Sequence, residues 1–239
     1  MRALLGGEPI DAQTAGQRLR YELERYHLAF VVWSADHATP ATDLAELERA
    51  AAGLGRSLGS HGPLVVPLGR QLVAAWIGAS EPIADEVPSL PVEPGAGAAL
   101  VAIGRSGRGV AGFSASHRQA LHARRVATLS GSRPGSVVRY RDVGLTAVAS
   151  VDPDLARDFV SEELGPLAAD SDEMRRLAVT LRVYLEERAS PRRAARRLGL
   201  HENTIKNRIG AVTELIDGRP EDRVGELLVA LRLADLDQR

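Results

Sequence analysis

Asn203, Lys206 and Asn207 stand three and four residues apart, so on a helix they share one face, and their chemistry is that of base recognition. An Asn amide can donate to and accept from the edge of adenine, and a Lys ammonium can donate to guanine. Glu202 joins this set near base edges, while Thr204 and Arg208 supply a hydroxyl and a guanidinium of the kind that engage phosphates. Arg192, Arg193, Arg196 and Arg197 lie just upstream. From Arg188 to Arg208 seven basic residues stand against one acid, a local net of +6 that can neutralise backbone phosphates. The full 239 residues have a formal net charge of -1, so the charge is clustered rather than general. The same arginines would also suit an ordinary solvated helical hairpin, and spacing alone leaves that reading open.

Two short helices and a tight turn are needed to present these residues. Ser190 is a good N-cap, Pro191 suits a first helical position, and Ala194, Ala195 and Leu198 recur at helical spacing. Gly199 can take the left-handed conformation that ends a helix, after which Leu200 is expected to drop into the core. His201 can cap a second helix with Ile205 and Ile209 four residues apart. Such a second helix enters the major groove N-terminus first. For His201 itself, a cap or packing role is the ordinary reading.

Around this hairpin, Thr180-Leu181 with Tyr184-Leu185, then Ala194-Ala195, then His201 to Ile209 (HENTIKNRI), then Ala230-Leu231 follow a specific order. That order resembles the C-terminal helix-turn-helix domain of PucR/CdaR-type regulators, where a "TL..YL" helix, an alanine-rich helix, an H-x-N-T signature and an AL-rich helix succeed one another. The resemblance covers about the last third of the chain. It implies sequence-specific binding to an operator in double-stranded DNA.

The length suits two modest domains. The absence of cysteine excludes disulfides, thiolate metal sites and a cysteine nucleophile. The opening MRALLGGEPI lacks a basic stretch followed by a long apolar core, and no window approaches the length needed to cross a bilayer, so a soluble, cytoplasmic protein without membrane contact is expected.

In the first part, Ala15, Leu19, Leu23 and Tyr26 predict a helix over Asp11 to Tyr26, followed by a buried strand, His27 to Trp33. A helix carrying Leu44, Leu47, Ala51 and Leu54 comes next. A hairpin follows, Gly62 to Val66 and Leu72 to Ile77, with its turn at Pro67-Leu68-Gly69. Ser80 to Gly97 reads as a surface connection, Ala98 to Ile103 as a strand, Ser114 to Leu129 as a helix and Val137 to Tyr140 as a last strand. The order taken from this is β-α-β-β-α-β, an α+β ferredoxin-like domain whose mostly antiparallel sheet carries helices on one face, followed by an all-α domain. The expected division is 1–26 as linker and helix, 27–143 as the α+β domain, 144–169 as a helical linker and 170–239 as the helix-turn-helix domain.

This first domain, and Ile103 to Ala127 in particular, is similar to the degenerate GGDEF-like domain that precedes the helix-turn-helix in the same family. Where an active GGDEF cyclase carries its acidic signature, this chain has Pro67-Leu68-Gly69-Arg70-Gln71-Leu72, which cannot hold magnesium and nucleotide. The resemblance therefore implies no catalysis and a role in regulation or dimerisation. Members commonly carry a further sensory domain upstream. This sequence begins almost directly at the GGDEF-like region, as a fragment or a shorter variety would, and no inducer is assigned.

Other constellations carry less. Gly104, Gly107, Gly109 and Gly112 match neither phosphate-binding glycine pattern and read as a tight turn. His117 and His122, five apart, do not align as metal ligands, and Ser116 lacks a nucleophile elbow, so no catalytic, cofactor or metal site is expected. Arg124 and Arg125 could face solvent or a partner. Trp33 and Trp76 read as core. A homodimer or higher homo-oligomer is expected, since one recognition helix covers few base pairs. Its candidate surfaces are the first domain, the Asp11 to Tyr26 helix and the leucine-rich helix Arg223 to Leu236. A small-molecule effector of unknown identity is an open partner. The rival reading is an enzyme or small-molecule sensor on the α+β domain, with the helical domain as a protein-interaction module.

Overall fold

The continuous apolar run beginning at His27 needs cover on both of its sides, and the architecture follows from that. A computed structural model of the chain describes residues 11–34, 44–60, 62–85 and 99–237. The opening decapeptide and most of the 80–97 connection lie outside these. The chain divides into two compact units, Met1–Ala147 and Val148–Arg239.

In the first unit, β1 (Tyr26–Ser34) is the central strand. It is flanked by β3 (Leu72–Ala79) and β4 (Ala99–Ile103), with β2 (Leu64–Gly69) beyond β3 and β6 (Val137–Arg139) beyond β4. All of these pairings are antiparallel except β4 with β6. A two-residue strand, β5 (Gly107–Arg108), pairs with the start of β1. β4 is the strand expected at Ala98 to Ile103, which the order β-α-β-β-α-β leaves out, and β5 is a further strand beyond those expected.

Helices lie on both faces, not on one. Leu28, Phe30 and Val32 pack with Leu47, Ala51 and Leu54 of α2 (Leu44–Ser57). Ala29, Val31 and Trp33 pack with Phe113, Ala120, Ala123 and Ala127 of α3 (Gly109–Leu129), and Ala15 of α1 (Ala12–Leu19) joins them. Successive strand side chains point to opposite faces, so a run without polar residues must be sandwiched.

Three further expectations change. The first helix stops at Leu19, because Arg20 adopts a left-handed conformation (φ 51°) and the Tyr21 amide donates to the Gly16 carbonyl. The hairpin turns at Arg70-Gln71 rather than at Pro67-Leu68-Gly69, and Gly69 pairs with Leu72. Pro67 is accommodated because β2 is an edge strand and shifts register between Pro67 and Gly69. Tyr140 opens α4 (Tyr140–Ala149) rather than ending β6.

The glycine-rich segment leading into and through the first turn of α3 is a packing device. A Cβ at Gly104 would stand 2.0 Å from the Ser116 carbonyl oxygen, and one at Gly112 would stand 2.1 Å from the Gly107 carbonyl carbon. Ser116 is buried, and its Oγ accepts from the Ala29 amide at 2.8 Å, tying α3 to β1. Arg124 lies over the Trp33 ring, and Arg125 donates to the Ala147 carbonyl. Trp76 stacks on Phe113 and donates to its carbonyl, and His117 stacks on the other partner of that ring system at 5.0 Å from Trp76. Among the described residues no group of three metal-ligating side chains converges, and no helix is long and apolar enough to cross a membrane.

His117 is 4% exposed, and its Nε2 has no hydrogen-bond partner among the described residues. Burial pushes its pKa down to about 4. A group whose folded pKa lies below its unfolded value of about 6.5 favours the fold above that value and loses this contribution as pH falls towards the folded pKa. Urea unfolding should therefore show the first unit losing on the order of 1–3 kcal/mol between pH 7 and pH 4.5. His117→Phe, which keeps the ring stack, should flatten that dependence, and an unchanged slope would contradict the assignment.

Candidate nucleic-acid interface

The described residues of the second unit form helices joined by short turns, with no strand among them. They comprise α5 (Pro153–Leu164), α6 (Asp172–Glu186), α7 (Pro191–Leu198), α8 (Glu202–Leu215) and α9 (Val224–Asp237), with short 3-10 turns at Gly165–Ala168 and Pro220–Asp222. Leu177, Leu181, Tyr184, Ala194, Ala195, Ile205, Val212, Leu227 and Leu231 share one core. The leucine-rich helix spends Leu227, Leu231 and Leu233 on this core, at 0, 1 and 4% exposure, so those leucines are not free to form a dimer surface.

Local signals set the hairpin. The Ser190 hydroxyl accepts from the Arg193 amide at the start of α7, and Gly199, at φ 66°, ends it while the Leu200 amide donates to the Ala195 carbonyl. Leu200 does not enter the core as expected. It is 36% exposed, because the left-handed Gly199 turns the chain outward, and Leu198 takes up the packing instead. His201 Nδ1 accepts from the Asn203 amide at 3.2 Å, which requires the ring proton on Nε2.

On α8, Ile205, Ile209 and Val212, with Ile216 just beyond its end, face the core. The opposite stripe, Asn203, Lys206, Asn207 and Gly210, is exposed. Arg192, Arg193, Arg196, Arg197 and His201 are also exposed, and Glu202, Thr204 and Arg208 are half-buried. The three groups with base-reading chemistry thus lie together on one outward face, with the α7 arginines on the preceding helix.

Electrostatics modify this picture. Arg197 contacts Glu186 at 2.7 Å and Glu187 at 3.2 Å, and Arg193 Nε donates to the Glu187 carbonyl at 3.1 Å, covering the end of α6. Lys206 pairs with Glu202 at 2.7 Å, one turn earlier on α8, and its hydrogen bond holds the Glu202 carboxyl below the usual range. A charge window opened at Arg188 excludes Glu186 and Glu187. Including them lowers the local net from +6 to +4. Their position at the end of the preceding helix is the signal that sequence reading missed.

Arg208 behaves differently from the other cations. Its Nη1 donates at 3.0 Å to Oγ1 of Thr180, a fully buried residue of α6, and it lines a cleft of about 300 Å³ with Arg175, Arg176, Val179 and Leu198. It braces α8 against α6. Tyr184 of the same helix donates to Glu221, and burial pushes its hydroxyl up to about 12.

Comparison with known proteins adds the following. A GGDEF-like domain model matches residues 5–126, and a PucR C-terminal helix-turn-helix domain model matches residues 177–234. No curated protein matches the chain. Among solved structures it is similar to a regulator of polyketide synthase expression from Bifidobacterium adolescentis, at 17% identity and a TM-score of 0.43, over 100% of this chain and 96% of that one.

Replacing Arg208 by Gln separates bracing from phosphate contact. The brace predicts a loss of about 1–2 kcal/mol in stability of the helical unit, with the slope of log affinity for duplex DNA against log salt unchanged. A slope smaller by about one, at full stability, would make Arg208 a phosphate ligand instead.

Proposed function

This chain belongs to the PucR/CdaR-type transcriptional regulators, and from that premise we propose that α8 reads an operator while the GGDEF-like unit regulates or dimerises without catalysis. The protein is a DNA-binding transcriptional regulator. The observation that supports the finer reading is the exposed stripe of Asn203, Lys206 and Asn207 opposite the buried isoleucines of α8. These three, with Glu202, meet base edges in the major groove. Arg192, Arg193, Arg196 and Arg197, with Thr204 and the helix start at His201, hold the flanking phosphates.

A recognition helix spans only a few base pairs, so a homodimer on two half-sites supplies the specificity. Operator binding puts this work in the cytoplasm. Domain limits at 27–143 and 170–239, joined by the helical segment 144–169, suit such a division of labour. Catalytic silence is supported by the hairpin tip, where Arg70 and Gln71 stand in place of carboxylates. Formation of a cyclic dinucleotide from GTP and Mg²⁺ would overturn it.

The test is selection of a preferred duplex from a random-sequence pool by the full chain, followed by a salt series. Affinity should fall steeply with salt. Asn203→Ala and Lys206→Ala should each relax preference at particular base pairs, at a cost of about 1–3 kcal/mol. Joint replacement of the four α7 arginines should weaken all sequences alike. Retention of the parent's preference by both alanine variants would show that α8 is not the reading element.

A further inference from the structure

Gly210 sits in the interior of the 14-residue helix α8, three residues past Asn207 and four past Lys206, on the same exposed stripe. A Cβ built there meets no heavy atom within 4 Å among the described residues, and its backbone is ordinary right-handed helix, so nothing in that set calls for glycine. This differs from Gly104 and Gly112, where a Cβ would collide with backbone. An interior glycine lowers helix stability relative to alanine. Gly225 also has open space, but it lies in the first turn of α9, where the amides have no helical partner to lose, and Gly53 of α2, which meets only the Arg56 guanidinium at 3.8 Å, is in the other unit and flanks no polar stripe of this kind.

The outward face of α8 is therefore bare one turn beyond its polar side chains, at a cost to the fold. A helix with side chains is about 10–12 Å across and the major groove about 12 Å wide, so the fit is close and a single side chain on the inserted face sets the depth of entry. We propose that Gly210 is a positioning residue for DNA recognition. Its missing side chain lets the middle of α8 lie in van der Waals contact with the sugar-phosphate wall of the groove. That depth brings Asn203, Lys206 and Asn207 within reach of base edges. The inference rests on the DNA-binding reading above.

Gly210→Ala and Gly210→Leu in the full chain test it, with the selected duplex and a scrambled duplex as probes. Gly210→Ala should raise the thermal midpoint of the helical unit by about 4 °C. It should also weaken binding of the selected duplex roughly ten-fold, and Gly210→Leu further, while low-salt binding of the scrambled duplex is unchanged. A more stable Gly210→Ala protein that binds the selected duplex as tightly as the parent, or tighter, would overturn the inference alone. A parent chain without salt-dependent duplex binding would overturn the DNA-binding reading, and this inference with it.

Discussion

The burial of one stripe of α8 decides what its other face can do. Ile205, Ile209, Val212 and Ile216 recur at intervals of four, three and four, which is the period of a helix lying against a core, and each is nearly or fully buried. That packing fixes the rotation of α8 about its own axis, so Asn203, Lys206 and Asn207 must look outward. The caps at Ser190, Gly199 and His201 fix where the two short helices begin and end, and Arg208 ties α8 to Thr180 of α6. Large-to-small changes along the isoleucine stripe would loosen the orientation of α8 without touching a polar residue.

Charge on this unit is arranged as a set of weak internal pairs. Arg193 and Arg197 rest against the acidic end of α6, and Lys206 against Glu202, all with substantial solvent exposure. Pairs of this kind stabilise by about 0–1 kcal/mol, so phosphates can displace the carboxylates at little cost. Holding the arginines in place beforehand reduces the side-chain ordering left to binding. Arg192 and Arg196 make no ion pair among the described residues and remain the readiest cations.

Much of this was legible in the residues themselves. The start and end of α7, the cap at His201 and the outward stripe of α8 follow from Ser, Pro, Gly and the isoleucine spacing. What escaped depends on tertiary context. Helices on both faces of the sheet are implied by a strand with no polar alternation, yet the pairing of Leu28, Phe30 and Val32 with α2 and of their neighbours with α3 is set by topology. The hairpin bends at Arg70-Gln71, which carry no turn chemistry, while Pro67 and Gly69 stay in an edge strand. The first helix ends at a left-handed Arg20 with no glycine to mark it. In the interface, Glu186 and Glu187 belong to the preceding helix, and only the fold brings them to the α7 arginines.

The most direct measurement is a crystal structure of the full chain with its selected duplex. The account predicts α8 in the major groove, with Asn203, Lys206 and Asn207 within hydrogen-bonding distance of base edges and the isoleucine stripe still turned to the core. A complex in which α8 lies outside the groove, or in which its outward stripe packs on another protein surface, would contradict it.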